Sequence, residues 1–179
     1  GLISIFEDKI LGTDGHLKLF FDDDWNCNYD IFSYGHDIEA SWLIHEAALV
    51  LGDPEVLERI EKIVPHIAEA ASEGNTPEGG MVKEREGKEI DRDRHWWVQA
   101  ESVVGYFNLW DHFGSRKDLE NALMCWDFIK ASIIDKENGE WFWSLRADGS
   151  INRDDDKAGF WKCPYHNGRM CMEIIERTR

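Results

Sequence analysis

Three segments of the chain share one kind of opening: Tyr34-Gly35-His36, His95-Trp96-Trp97 and Pro164-Tyr165-His166. They recur 60 and 70 residues apart, counted from His36 to Trp96 and from Trp96 to His166. Spacing on that scale marks an architecture built by repeating one supersecondary unit. The unit here is a pair of helices joined by a tight glycine-centred turn. The first pair runs from His36 to Leu51 and from Pro54 to near Gly74, with Gly52 closing one helix and Asp53-Pro54 capping and opening the next. The second runs from near His95 to Phe113, closes at Gly114, and resumes after the capping signal Ser115-Arg116-Lys117-Asp118. A last helix opens near His166.

The two helices of a pair differ in their apolar faces. The second helices carry one-sided stripes at helical spacing: Val56, Leu57, Ile60, Ile63, Val64, Ile67, Ala68 and Ala71, then Leu119, Ala122, Leu123, Trp126, Ile129 and Ile133. The first helices are apolar on more than one side, through Ile38, Trp42, Leu43, Leu49 and Val50, then Val98, Val103, Val104, Phe107 and Trp110. One-sided helices form an outer layer and two-sided helices an inner one. Stacked pairs of this kind curve into an α/α solenoid or close into an α/α toroid. In a toroid the inner N-termini meet at one mouth, so His36, Trp96, Trp97 and His166 face a common cavity. Between the helices, the pattern predicts a strand at His16–Phe20 after an Asp14-Gly15 turn, and another at Glu140–Leu145 after Asn138-Gly139. Leu2 to Ile10 reads as the end of a helix. The polar stretch from Gly79 to Arg94 reads as a loop with room for a short hairpin. The expected class is all-α with short β-hairpins in the loops, one domain over residues 1–179.

Charge narrows the partners. With 20 Lys+Arg against 36 Asp+Glu the net charge is −16, which argues against nucleic acid and anionic membrane surfaces. The longest stretch without a charged residue is Ser102 to Trp110, far short of the ~20 residues that span a bilayer. Cys27, Cys125, Cys163 and Cys171 form no metal-type spacing, and a chain of this size needs no disulfide staples, which favours a reducing, cytoplasmic setting. His45-Glu46 lacks the second histidine of a zincin, since Leu49 stands there. Asp22-Asp23-Asp24 and the Asn152–Asp156 run lack the glycine and final glutamate of a calcium loop. No metal or nucleotide site is expected.

The remaining chemistry centres on His36 and His166, each opening an inner helix and each followed by polar residues. Imidazoles exchange protons near neutral pH, and helix N-termini stabilise a developing oxyanion. His16, His45, His66, His95 and His112 read as structural. Nine tryptophans are many for one domain. Trp42, Trp110 and Trp126 fall mid-helix and read as core, whereas Trp97 and Trp161 are candidate sugar platforms. Glu39 and Glu101 lie one turn beyond His36 and Trp97, placed to bind hydroxyls or orient a neighbour. Arg169 is placed to pair a carboxylate or steady a substrate oxygen.

At these residues the chain resembles a known family. Ser33-Tyr34-Gly35-His36-Asp37-Ile38-Glu39-Ala40-Ser41-Trp42 is similar to the signature helix of the cellobiose 2-epimerase branch of the N-acylglucosamine 2-epimerase family. His95-Trp96-Trp97-Val98-Gln99-Ala100-Glu101 and the run Lys157 to Met170, with Pro164-Tyr165-His166-Asn167-Gly168-Arg169, resemble its later motifs in order. His16-Leu17-Lys18-Leu19-Phe20-Phe21 also fits. The resemblance implies an (α/α)6 barrel and reversible epimerisation at C2 of the reducing-end glucose of β-1,4-linked disaccharides, without metal or cofactor. It implies that His36 and His166 are acid/base groups, and that Trp96, Trp97, Trp161, Glu39, Glu101 and Arg169 bind substrate. The wider family extends this to monosaccharide epimerases and aldose–ketose isomerases.

Family members are about twice this length, so the resemblance implies the C-terminal half of the barrel. A further histidine and an arginine of the site are then expected upstream of Gly1. A half-barrel exposes inner faces, so self-association or weak stability is expected, with no activity alone. Two other readings stay open: an α/α-barrel glycoside hydrolase using Glu39 and Glu101 as its carboxylate pair, and a non-catalytic solenoid in which His36→Ala and His166→Ala change nothing.

Overall fold

A computed structural model describes all 179 residues. The chain opens with α1, Leu2–Ile5, which loosens into a π-turn over Phe6–Ile10. After β1, Ile31–Phe32, the first hairpin follows as α2, Tyr34–Leu51, and α3, Pro54–Ala71. A hairpin of β2, Glu84–Glu86, and β3, Glu89–Asp91, precedes β4, Arg94–His95. The second pair is α4, Trp96–Phe113, and α5, Arg116–Phe128, which ends in a π-turn over Ile129–Ile133. β5, Ser144–Leu145, and α6, His166–Arg177, complete the chain.

Local chemistry explains the boundaries. Ser33, Asp53 and Ser115 each accept a backbone N–H at a helix start, and Gly52 and Gly114 end α2 and α4 in the left-handed conformation. The inner row is α2, α4 and α6, with α3 backing α2 and α5 backing α4. One apolar cluster joins α2, α3 and α4 through Ile38, Ile60, Val64, Ala68, Val98 and Tyr106. A second joins α4, α5 and α6 through Trp96, Val104, Ile129, Ile133 and Met170, with Trp42 of α2. Each buried Val, Ile or Met among them contributes roughly 1.5–3 kcal/mol on burial. The inner helices touch at Gly105, where a Cβ would stand 2.9 Å from the Ile38 carbonyl oxygen. Gln99 fixes the segment before the hairpin, its amide donating to the Met81 carbonyl at 2.8 Å and accepting the Met81 N–H at 2.9 Å.

The small sheets are shorter than the alternation suggests. β1–β2–β3 form one antiparallel sheet and β4–β5 another, with Arg94 opposite Leu145 and His95 opposite Ser144. The expected strand at His16–Phe20 is only an isolated bridge between Leu11 and Leu17. The reason is a competing partner: the buried Asp37 carboxylate accepts the Leu17 N–H at 2.8 Å and holds His16 Nδ1 at 2.7 Å. The expected strand Glu140–Leu145 shrinks to Ser144–Leu145: Glu140 adopts φ of +62°, Trp141 forms only an isolated bridge to Ile134, and the chain bends at Trp143.

Where α6 meets α4, it lacks the backing helix that α3 gives α2 and α5 gives α4. An apolar groove of about 410 Å³ lies there, walled by Val103, Phe107, Leu119, Trp126, Met170 and Ile174 among others. The accessible surface is 10,069 Å², larger than the ~9,000 Å² expected for a compact monomer of this mass.

Burial alone pulls the His16 pKa down, but its hydrogen bond to Asp37 and that carboxylate's charge outweigh burial and leave it raised above 6.5. A raised folded pKa contributes stability that is full below about pH 6.5 and lost as the pH rises through the folded value. Asp37→Asn is therefore expected to lower the His16 pKa and flatten that pH dependence, read by histidine C–H resonances and urea melts from pH 5 to 9.

Candidate active site

The local packing around Trp97 explains why the inner N-termini converge. Gly35 leaves space for that indole: a Cβ there would stand 2.5 Å from the ring. The Trp97 ring lies 4.8 Å from the His36 ring and 5.7 Å from the His166 ring, centroid to centroid. Both histidines sit in first turns, His166 as the first residue of α6 and His36 as the third of α2. An open pocket of about 420 Å³ lies at this mouth, lined by His36, Glu39, Lys83, His95, Trp96, Trp97, Trp143, Trp161 and His166.

Behind the pocket wall stands Glu101, 1 % exposed. Its Oε2 accepts the Trp42 indole N–H at 3.0 Å, and its Oε1 accepts from His166 Nδ1 and Arg169 Nη2, each at 2.7 Å. Arg169 Nη2 also donates to Glu39 Oε1 at 2.6 Å, and Nη1 donates to the Tyr165 hydroxyl at 2.6 Å. The guanidinium lies over Trp42, 4.9 Å from the ring centroid. Burial acts to lower the Arg169 pKa, and the two carboxylates more than reverse it.

This arrangement sets the histidine tautomer. An ionised carboxylate only accepts, so His166 Nδ1 carries the proton toward Glu101 and Nε2 presents a lone pair. His36 differs: its Nδ1 lies 2.7 Å from Ser33 Oγ, a group that can donate as well as accept. Glu39, Glu101 and His166 also place one ligand atom each within 4.8 Å, a metal-like spacing. The cation at that point is the Arg169 guanidinium, which already joins both carboxylates.

Of the residues singled out from the sequence, His36, His166, Glu39, Trp96, Trp97 and Trp161 line the pocket. Trp96 does so with little surface, being only 4 % exposed and packed 4.6 Å from Trp143. Trp161 is 79 % exposed at the rim. Glu101 and Arg169 stand behind the wall, not in it, and hold His166 and Glu39. Lys83, His95 and Trp143 line the pocket without having been expected there. Trp143 arrives because the Trp96 N–H donates to its carbonyl at 3.0 Å beside the β4–β5 pair, and two-residue strands leave no periodic signal. His95 is half-buried, and its partial desolvation lowers its pKa below 6.5.

The sequence profile of the N-acylglucosamine 2-epimerase (GlcNAc 2-epimerase) family matches residues 3–168, and the chain belongs to that family. It is 62 % identical over 177 residues to the cellobiose 2-epimerase of Bacteroides fragilis, covering 97 % of this chain and 45 % of that protein. Identity to the cellobiose 2-epimerase of Ruminococcus albus is 46 % over 162 residues, covering 90 % of this chain and 42 % of that one. Among solved structures, a sugar epimerase from a ruminal bacterium superposes with a TM-score of 0.94 at 42 % identity, over 99 % of this chain and 46 % of that chain. The fold is therefore part of the (α/α)6 barrel of those proteins, and the chain spans about half the length of the curated relatives it matches.

Glu101→Ala strands three donors at once. Breaking a buried ion pair in this way costs about 3–5 kcal/mol, measurable in urea, and the Trp42 indole N–H is expected to lose its protection from hydrogen exchange. Gly35→Ala is expected to push the Trp97 ring aside and cost about 1–3 kcal/mol.

Proposed function

We propose that these residues form part of the active site of an isomerase that reversibly epimerises C2 of the reducing-end glucose in β-1,4-linked disaccharides, converting cellobiose to glucosyl-mannose. The observation that carries this reading is the pair of histidines against one indole, His36 and His166, with only His166 tied to a carboxylate. Both relatives named above are cellobiose 2-epimerases.

The chemistry follows from the open-chain sugar, whose aldehyde acidifies the neighbouring C2–H. His166 Nε2 suits removal of that proton, since Glu101 on Nδ1 stabilises the imidazolium that forms. The resulting enediolate is stabilised by nearby donors and by the helix N-termini. His36 suits the return of a proton to the opposite face from its imidazolium form, in which Nδ1–H donates to Ser33 Oγ and Nε2–H is the proton delivered; the protonated His166 and neutral His36 left after turnover exchange protons with solvent. In the reverse direction the roles exchange. Trp97 and Trp161 offer faces for the sugar C–H patches, Glu39 and Trp96 complete the substrate contacts, and Arg169 holds Glu39 in place from behind the wall. Proton transfer within an aldose needs no cofactor in this scheme.

The hydrolase reading fares worse on geometry. Glu101 has its oxygens committed to Trp42, His166 and Arg169, and Arg169 also holds Glu39, so neither carboxylate stands free to protonate or attack a glycosidic bond.

We further infer that the residues are the C-terminal half of the barrel, acting in the cytoplasm with the complementary half. The unpartnered apolar groove beside α6 and the enlarged surface support this. The 179-residue chain alone is expected to be inactive and to be either self-associated or weakly stable; a monodisperse monomer by analytical ultracentrifugation that also melts cooperatively contradicts this. For the whole enzyme, incubation with cellobiose in D₂O is expected to place deuterium at C2 and yield the mannose-containing epimer. His36→Ala and His166→Ala are each expected to slow the reaction by about 10²–10⁴-fold. Absence of exchange refutes the epimerase, and release of glucose favours the hydrolase.

A further inference from the structure

The segment between β5 and α6 carries two large aromatic residues almost fully in solvent, Phe160 at 93 % and Trp161 at 79 % exposure. The next residue is the opposite extreme: Lys162 is 1 % exposed, and no other lysine is buried. Its ammonium has three donors, and all are used. Nζ donates to Glu140 Oε1 at 3.1 Å, to the Trp141 carbonyl at 2.9 Å and to the Lys157 carbonyl at 2.7 Å. It also lies 5.3 Å from the Trp96 ring centroid, in cation–π range. The Gly159 N–H donates to the Lys162 carbonyl at 2.7 Å, closing a small loop with Phe160 and Trp161 at its tip.

Glu140 is shaped for the same purpose. It is one of two non-glycine residues with positive φ, at +62°, a left-handed conformation that side chains with a Cβ avoid. Its Oε1 accepts from both Lys162 and Asn167 Nδ2, the latter at 2.9 Å. A strained residue whose carboxylate joins the loop to the first turn of α6 is explained by what that carboxylate holds. A lysine buried this deeply is costly unless its partners are fixed.

We propose that Lys162 is a positioning residue for the sugar site: by locking residues 157–162 onto the Glu140–Trp141 turn, it holds the exposed indole of Trp161 at the pocket rim. The inference rests on reading that pocket as a sugar site. Its effect falls on binding and not on proton transfer, because His166 has its own anchor in Glu101. The loop thus trades mobility for a fixed aromatic face, reducing the ordering that a bound sugar would otherwise impose.

The test compares Lys162→Met, Lys162→Arg and Glu140→Gln in the whole enzyme. Without sugar, amide hydrogen exchange in Lys162→Met is expected to rise at residues 157–165 while the α2 and α4 amides keep their protection. With cellobiose, KM is expected to rise about tenfold, the scale of one aromatic contact, with kcat within about twofold. Lys162→Arg is expected to recover part of the KM loss. Glu140→Gln keeps an acceptor for both donors and is expected to show the same signs more weakly, so it serves if Lys162→Met does not fold. Unchanged loop exchange, unchanged KM, or a fall in kcat at constant KM overturns the positioning role alone. If the unaltered enzyme neither binds nor epimerises cellobiose, the epimerase reading fails, and the sugar-positioning role fails with it.

Discussion

A carboxylate that is 1 % exposed needs partners for both oxygens, and Glu101 finds them on two other elements. Trp42 comes from α2, while His166 and Arg169 come from α6, and Glu101 itself belongs to α4. One side chain therefore ties together the whole inner row at the end where the helix N-termini meet. Taking a charge out of water costs several kcal/mol, repaid only if each lone pair is used. The consequence is register: the three inner helices cannot slide without stranding an indole N–H, an imidazole and a guanidinium together. The same bonds orient the His166 ring toward the pocket, so the interaction that fixes the fold also prepares the chemistry.

A second buried carboxylate performs the equivalent task one residue beyond His36. Asp37 turns away from the pocket and pins Leu17 and His16 of the N-terminal segment, with the His16 ring stacked 4.2 Å from Phe32. His36 and Asp37 are adjacent in sequence and face different regions, as helical geometry requires. The mouth is thus built from polar residues in pairs, one member facing the pocket and its partner holding the scaffold.

The helices were legible because their signals are local. Asp53-Pro54, Ser115 and the two closing glycines mark boundaries within a residue or two, and the one-sided stripes of α3 and α5 identify the outer layer. The repeat of aromatic–histidine openings placed His36, Trp97 and His166 at one mouth. What the sequence concealed depends on distant partners. The His16–Phe20 alternation reads as a strand only if one ignores Asp37, which lies in another element. Lys83, His95 and Trp143 reach the pocket through two- and three-residue strands, too short for any period to reveal. Glu101 and Arg169 were recognised as polar groups of the site, yet their place behind its wall follows from burial, which no residue type discloses.

Glu101 fixes the His166 ring, and the tautomer of that ring reports this most directly. Two-bond ¹H–¹⁵N correlation spectra of the histidine side chains, recorded where the ring is neutral, distinguish a proton on Nδ1 from one on Nε2. The structure predicts that His166 carries its proton on Nδ1, with Nε2 free, and that Glu101→Gln disturbs this preference. A His166 ring found with its proton on Nε2 in the unaltered protein would contradict the account.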